Sequence, residues 1–508
     1  MMKSVMILLT ILSTLCLQSN ARVIVNPECL YTRDHVAVLK IDNTASECIV
    51  TFNTTEKTGT SLRIEHGIYL VDDNGERHHA IRAEGIAFDS VYQIEKERPR
   101  SFSVAFTPVD EHNSALDVIN PGHFNIYGIH DSGTVLNIPS AKDCYSQSYH
   151  PDDKVFQPQE TVIEGVIHGG GSNGSTLLFP MSTSTGEKQP MCTVDESGRF
   201  SMRFTLSCPK LALLDDASTR RSLAHLFVRP GDHLHVDIYG GNDGTETKVE
   251  NRNGEYACPK LANIHVGTWK MSFNYISNFL PQGGQRDLAF SKYSLEEHWR
   301  ILMDDYASNV RFADYMCWHN RLSPFESRLY LESTEMYYGW MLCELGASLC
   351  NIVYAKETSP QLADIAARVD DILVDRFYAL THDIMPDSPT LMYGEYCSSL
   401  SHLFDSYPAK KRCDSIPETE TDYCKRMLKT QMDVIHSITG WDNESLLMQY
   451  NEILALNRMM SECRFSDKYR KAHASELRQL YASVRLEISN PCLLRQLDAF
   501  YEQNNMAQ

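Results

Sequence analysis

The sequence predicts a multidomain β + α protein: two N-terminal antiparallel β-sandwich-like domains followed by an irregular all-α helical domain. Three observations carry this. Apolar and polar residues alternate in short runs through roughly the first half of the chain. Turn residues such as Asp73-Asn74-Gly75 and Asn120-Pro121-Gly122 punctuate those runs. From about residue 285 the code changes to helix-start signals followed by 3.6-period stretches.

The first twenty-one residues, MMKSVMILLTILSTLCLQSNA, read as a secretory signal. Lys3 supplies the positive region. The apolar stretch Val5–Leu17 is too short to cross a bilayer core of about 30 Å as a helix. Ser19-Asn20-Ala21 places cleavage after Ala21, leaving an exported mature chain that starts at Arg22. Cys16 is a weak lipid-anchor candidate, because the bulky Leu15 precedes it. No later segment reads as a transmembrane helix.

Residues 22–150 form the first expected β-domain. Its period-two runs are VAVLKID (36–42), CIVTFN (48–53), LRIEHGIYLVDD (62–73), HAIRAEGIAF (79–88), SFSVAFTPV (101–109) and FNIYGI (124–129). Short strands at this spacing indicate an antiparallel sandwich. His78-His79 follows a turn, points to opposite faces and reads as surface.

The second β-domain, expected over 158–265, contains EGVIHGGGSNGSTLLF (164–179), which matches three catalytic patterns at once. Gly169–Gly174 fits G-x-G-x-x-G, Ser172 sits in G-x-S-x-G, and His168–Gly171 fits an H-G-G-G oxyanion loop. The first two chemistries need a helix after the loop, to supply N-terminal donors or position the nucleophile. Pro180 and the Ser/Thr/Gly cluster after it leave no room for one. The stretch therefore reads as a glycine-rich hairpin loop joining two strands. His233 and His235 share one face of a strand and could ligate a metal, but no third ligand stands at fixed spacing. They read as solvated strand histidines, and no metal or cofactor is expected.

The helical domain is expected over 285–508. Ser294–Glu297 and Ser323–Glu326 are capping boxes, the latter with Pro324 at the first helical position. Further starts fall at Ser359-Pro360 and Ser388-Pro389, and near residues 442, 467 and 491. Asp304-Asp305 and Asp370-Asp371 are adjacent carboxylates that diverge by about 100° on a helix, so neither makes a working dyad. Within YMCWHN (315–320), Cys317 and His319 are close in sequence, without an assignable third residue to orient a Cys–His pair.

The chain has 15 cysteines, which in an exported protein points to disulfides. No C-x-x-C occurs, and no two Cys pairs stand at zinc-site spacing. Cys343 and Cys350 would lie roughly 10 Å apart on one helix, beyond disulfide reach. Cys29 with Cys48, and Cys208 with Cys258, are the candidate bridges. The formal net charge of −19 argues against nucleic acid, since a phosphate-binding surface needs clustered Lys and Arg.

RVIVNPECLYT, GIYLVDDNGERHHAIRAEGIAF and SFSVAFTPVDEHNSALDVIN resemble the N-terminal β-domain of exported TlpA-like thioredoxin-family proteins of Bacteroidota. IEGVIHG, VDESGRFSMRFTL and LFVRPGDHLHVDI resemble the second β-domain of that group. The stretch ending LRQLYASVRLEISNPCLLRQLDAFYEQN is similar to the segment that precedes its thioredoxin domain. In such proteins a W-C-x-x-C site performs the redox chemistry. This sequence has no residue onto which that pair can be carried. The resemblance thus implies a non-catalytic binding or scaffolding protein with an envelope protein or peptide as partner. The alternative is a truncated or degenerate thiol–disulfide oxidoreductase, and a serine hydrolase at Ser172 ranks last.

Overall fold

The computed structural model describes residues 22–32, 36–54, 61–94, 100–121, 123–144, 158–169, 174–179, 189–206, 209–219, 221–239, 246–253, 257–264, 295–336 and 474–503, with a few isolated positions between 338 and 453. The described chain is β-rich. It divides into two compact units, Met1–Asp143 with Asp314–Ser323, and Cys144–Ala313 with Pro324–Gln508.

The first unit is built on a large curled antiparallel sheet. Its strands are β1 (Arg22–Val25), β2 (Glu28–Thr32), β3 (Val36–Asn43), β4 (Cys48–Thr54), β6 (Tyr69–Val71), β7 (Arg77–Glu84), β9 (Ser101–Phe106), β10 (Leu116–Asn120) and β11 (Phe124–His130); β5 (Ser61–Arg63) and β8 (Val91–Gln93) form a separate pair. The order is β1-β3-β4-β9-β7-β6-β10-β11-β2. β7 closes the curl, pairing β6 through Arg77–His79 and β9 through Ala80–Glu84. Alternation puts Val36, Val38, Ile41 and Asn43 inside, and a bulge between Val38 and Lys40 accounts for the change of phase. Phe52 stacks on Phe102 in the core at 5.1 Å between ring centroids.

His78 departs from the surface placement expected for it. It is buried, and its Nε2 lies 3.5 Å from Asp72 Oδ2. Asp72 is itself buried, and its Oδ1 accepts the N–H groups of Asn74 and Glu76, shaping the β6–β7 turn. The curl turns the His78 face inward, so alternation alone misjudges it. His79 is exposed on the opposite face.

The second unit carries two four-stranded sheets, in the orders β15-β12-β18-β19 and β14-β13-β16-β17. The strands are β12 (Gln159–Ile167), β13 (Thr176–Leu178), β14 (Met191–Thr193), β15 (Arg199–Leu206), β16 (Lys210–Asp216), β17 (Arg221–Val228), β18 (His233–Tyr239) and β19 (Glu246–Asn251). Ile163, Phe179, Met202, Leu226 and Val236 belong to one core. Two expectations need correction. The unit is not purely antiparallel, because β12 and β18 run parallel from Val162↔His233 to Ile167↔Ile238. The chain between them builds β15 of the same sheet and four strands of the other before it returns, which brings β18 back in the same direction. Close backbone approach makes this pair possible: a Cβ on Gly165 would stand 1.8 Å from the Val236 carbonyl oxygen. The glycine-rich loop after β12 is also no hairpin. A strand follows it and not a helix, but β12 and β13 lie in different sheets, so the loop crosses between them.

Among the described helical residues, Leu295–His319, 324–336, Ala474–Glu487 and Pro491–Gln503 are helices. None is long and apolar enough to cross a membrane. The second capping-box segment starts a helix at Pro324 as expected. Glu326 does other work: its Oε1 accepts the N–H groups of Lys260 and Leu261, both at 3.0 Å, and so anchors the 3-10 turn Leu261–Asn263.

Candidate functional site

Two clusters combine histidine with carboxylate, one enclosed and one displayed. The enclosed cluster lies in the first unit. Asp117 on β10 is 2% exposed, while Tyr315 and His319 on the helix Leu295–His319 are both at 0%. Residues i and i+4 share a helix face, so both reach the same carboxylate. Tyr315 donates its hydroxyl to Asp117 Oδ1 at 2.6 Å, and the Gly128 N–H donates to the same oxygen at 2.9 Å. His319 Nε2 lies 3.3 Å from Oδ2, and its ring stacks on Tyr315 at 5.0 Å. Burial pushes the Asp117 carboxyl above its ordinary range, against the pull of His319, Tyr315 and Gly128. Burial also raises the Tyr315 phenol far up, with the Asp117 charge adding to it.

The rest of this segment is held as firmly. Asp314 Oδ1 accepts the Ala141 N–H at 2.7 Å. Past His319 the chain closes in a Schellman motif, with Leu322 N–H donating to Cys317 O and Arg321 N–H to Trp318 O. The position that normally takes glycine is Arg321, at φ 49°. Its guanidinium donates to the Asp73 carbonyl at 3.2 Å and to the Asn74 side chain.

Cys317 and His319 are not brought together as a reactive pair. Two residues apart on a helix, they point about 200° apart, and Cys317 is buried. Asp117, Tyr315 and His319 are all buried, so among the described residues this Tyr–Asp–His arrangement is enclosed. The adjacent carboxylates diverge too. Asp304 meets Arg300 at 3.4 Å, while half-buried Asp305 accepts the Tyr338 hydroxyl at 2.5 Å and has its carboxyl raised by burial.

The displayed cluster covers the outward face of the β15-β12-β18-β19 sheet. His233 and His235 share that face as the sequence predicts, and Glu164 on β12 and His168 just past its end stand beside them. His233 Nε2 lies 2.9 Å from Glu164 Oε1, which also accepts Arg252 Nη1 at 2.6 Å. Arg252 Nη2 donates to His235 Nδ1 at 3.0 Å. His235 Nε2 and His168 Nε2 each stand 3.5 Å from Asp237 Oδ1. His168 lies flat on Tyr239, 4.4 Å between centroids. The hydrogen bond from His233, followed by the charges of His233 and Arg252, holds the Glu164 carboxyl below its ordinary range.

Two imidazoles around one carboxylate resemble a metal set, but Arg252 decides against it. Guanidinium only donates, so His235 Nδ1 must accept and its Nε2 carries the proton. That nitrogen offers Asp237 an N–H and no lone pair for a metal. Among the described residues, no group of three His, Cys, Asp or Glu side chains is placed to hold a metal ion.

Cys29, Cys48, Cys192 and Cys258 are free thiols, and Cys317 forms no disulfide. Burial raises Cys29 to about 11 and Cys48 to about 12, and it raises Cys192 and Cys258 as well. Cys208, Ser172, Asp370-Asp371, Cys343, Cys350 and the leader with Cys16 lie outside the described residues. No protein-family model matches this chain, and no curated protein matches its sequence.

Proposed function

We propose that this chain is a non-catalytic exported protein that binds or scaffolds an envelope protein or peptide. It is related to the accessory region of TlpA-like thiol–disulfide oxidoreductases and works in the periplasm after removal of the leader before Arg22. In this reading its two β-sandwich-like domains and helical domain present surfaces and carry out no turnover. The state of the described thiols carries the proposal. A reactive cysteine needs an accessible thiolate in an electropositive setting, and burial drives Cys29 and Cys48 to about 11 and 12. On the outward face of the β15-β12-β18-β19 sheet the described residues hold a part-exposed hydrogen-bonded network, Glu164–Arg252–His235.

The test is chemical cross-linking of the native protein in envelope preparations, with wild type beside Arg252→Glu. A discrete partner captured by wild type and lost with the variant supports the reading, and capture of nothing by either overturns it. An insulin-reduction turnover abolished by a Cys→Ser change would instead restore the oxidoreductase alternative.

A further inference from the structure

Two acceptors of different kinds hold the Arg252 side chain against the outward face of the second unit. Its Nη1 donates to Glu164 Oε1 at 2.6 Å, and its Nη2 donates to His235 Nδ1 at 3.0 Å. The Arg252 backbone is fixed separately, its N–H donating to His233 O at 2.8 Å. A charged carboxylate has lone pairs to spare. A neutral imidazole has one acceptor nitrogen, and a proton removes it, because the imidazolium donates from both nitrogens. The two anchors of Arg252 therefore respond differently to acid.

His235 is part-exposed, so water reaches the ring without any unfolding. On β18 it lies between His233 and Asp237. Glu164 stands across from it on β12, and Glu250 stands across from it on β19, where Lys248 and Arg252 flank that position. Asp237 Oδ1 is 3.5 Å from His235 Nε2 and as far from His168 Nε2. Beyond β12, Arg199 and Arg203 on β15 flank Ser201, which faces Glu164. Three carboxylates thus adjoin His235, and the face has room for a cationic ring. The contact it has no room for is Nδ1 against the guanidinium, where two donors would meet at 3.0 Å.

We propose that His235 Nδ1 is a proton-operated latch, holding Arg252 against β18 when the ring is neutral and releasing it in acid. The proton comes from water and goes to Nδ1, Nε2 keeps its own, and no covalent bond to carbon changes. Arg252 keeps Glu164 through Nη1 and turns Nη2 to solvent. Imidazole is the side chain whose charge ordinarily changes between about pH 5 and 8, so the latch is closed at neutral pH and opens below it. The device is internal to the face and does not depend on a bound partner.

The test is nitrogen-15 NMR of the whole protein, labelled in histidine and arginine and titrated downward from neutral pH. Expected are His235 as the Nε2–H tautomer at neutral pH, a slowly exchanging Arg252 Nη–H signal, and loss of that signal in step with protonation of His235. Guanidinium exchange with water is base-catalysed and slows in acid, so such a loss reports opening of the latch. His235→Asn puts an acceptor that does not titrate near the place of Nδ1, and the Arg252 signal should then persist through the same range. A neutral His235 with its proton on Nδ1 overturns the proposal. So does an Arg252 signal that outlasts protonation of His235 in the wild type, or one lost at the same pH in His235→Asn.

Discussion

The Asp117 cluster and the Glu164–Arg252–Asp237 face are made of nearly the same groups, and solvent separates their consequences. Around Asp117 each polar contact replaces water that was removed, so the carboxyl sits above its ordinary range although a phenol, an amide and an imidazole all address it. On the open sheet the same kinds of partner win outright, and Glu164 is held below its range. Identical chemistry is thus costly to disturb in one place and close to neutral in the other. Surface ion pairs are worth about 0–1 kcal/mol, whereas breaking a buried pair costs about 3–5 kcal/mol.

The sharpest way to break the comparison is Asp117→Ala, which strands Tyr315, His319 and the Gly128 N–H in the core. It should destabilise the first unit by about 3–5 kcal/mol in a denaturant titration. Loss under about 1 kcal/mol would sink the distinction. Asp117→Asn keeps the shape and tests the sign of its titration. A carboxyl raised in the fold holds its proton more tightly there than in the unfolded chain, so its contribution declines as pH rises from the ordinary aspartate range through the raised value. The Asn variant should lack that decline.

His225 on β17 is a buried imidazole. Its pKa is lowered to about 3 by burial, so the unfolded chain takes up a proton near pH 6.5 while the native one refuses it. Stability should fall with acidification between about 6.5 and 3, by an amount on the order of 5 kcal/mol. Thermal melts of His225→Phe over that window should show a flatter profile.

A smaller effect separates strain from contact at the end of the helix. Arg321→Ala keeps the left-handed conformation and loses the bonds to Asp73 and Asn74, whereas Arg321→Gly loses the bonds and the strain together. Gly should exceed Ala in stability by about 1 kcal/mol. Equal stabilities would mean that φ 49° costs nothing here. Smallest is Glu164→Gln, expected to change stability by less than about 1 kcal/mol. Its effect should vanish as salt rises, and also as pH falls through the depressed Glu164 value, where the wild-type carboxylate is neutralised.

Much of the strand content was legible because alternation reports local burial. VAVLKID and CIVTFN became β3 and β4 within a residue, while SFSVAFTPV became β9 but ran three residues past its end at Phe106. What alternation cannot report is curvature, and His78 went inside for that reason. Chain direction was hidden as well: the parallel β12–β18 pair depends on an approach at Gly165 that leaves no periodic trace. Of the displayed face, GDHLHVD announced two histidines on one side. It could not announce Glu164, His168 or Arg252, which come from other strands. The enclosed cluster was half visible. Tyr315 and His319 stand at i and i+4, a signal passed over in favour of the nearer Cys317. Their carboxylate lies 198 residues away from Tyr315, a distance that no local pattern spans.

That separation has a meaning in time. Ribosomes add roughly 5–20 residues per second, so Asp117 is made about 10–40 seconds before Tyr315 and His319 exist to meet it. For most of that interval the strands of the first unit have been made, yet the partners of their buried acid have not. Synthesis therefore passes through a stage in which this carboxylate must stay hydrated. Its final enclosure belongs to the last acts of assembly, however early its own strand is made.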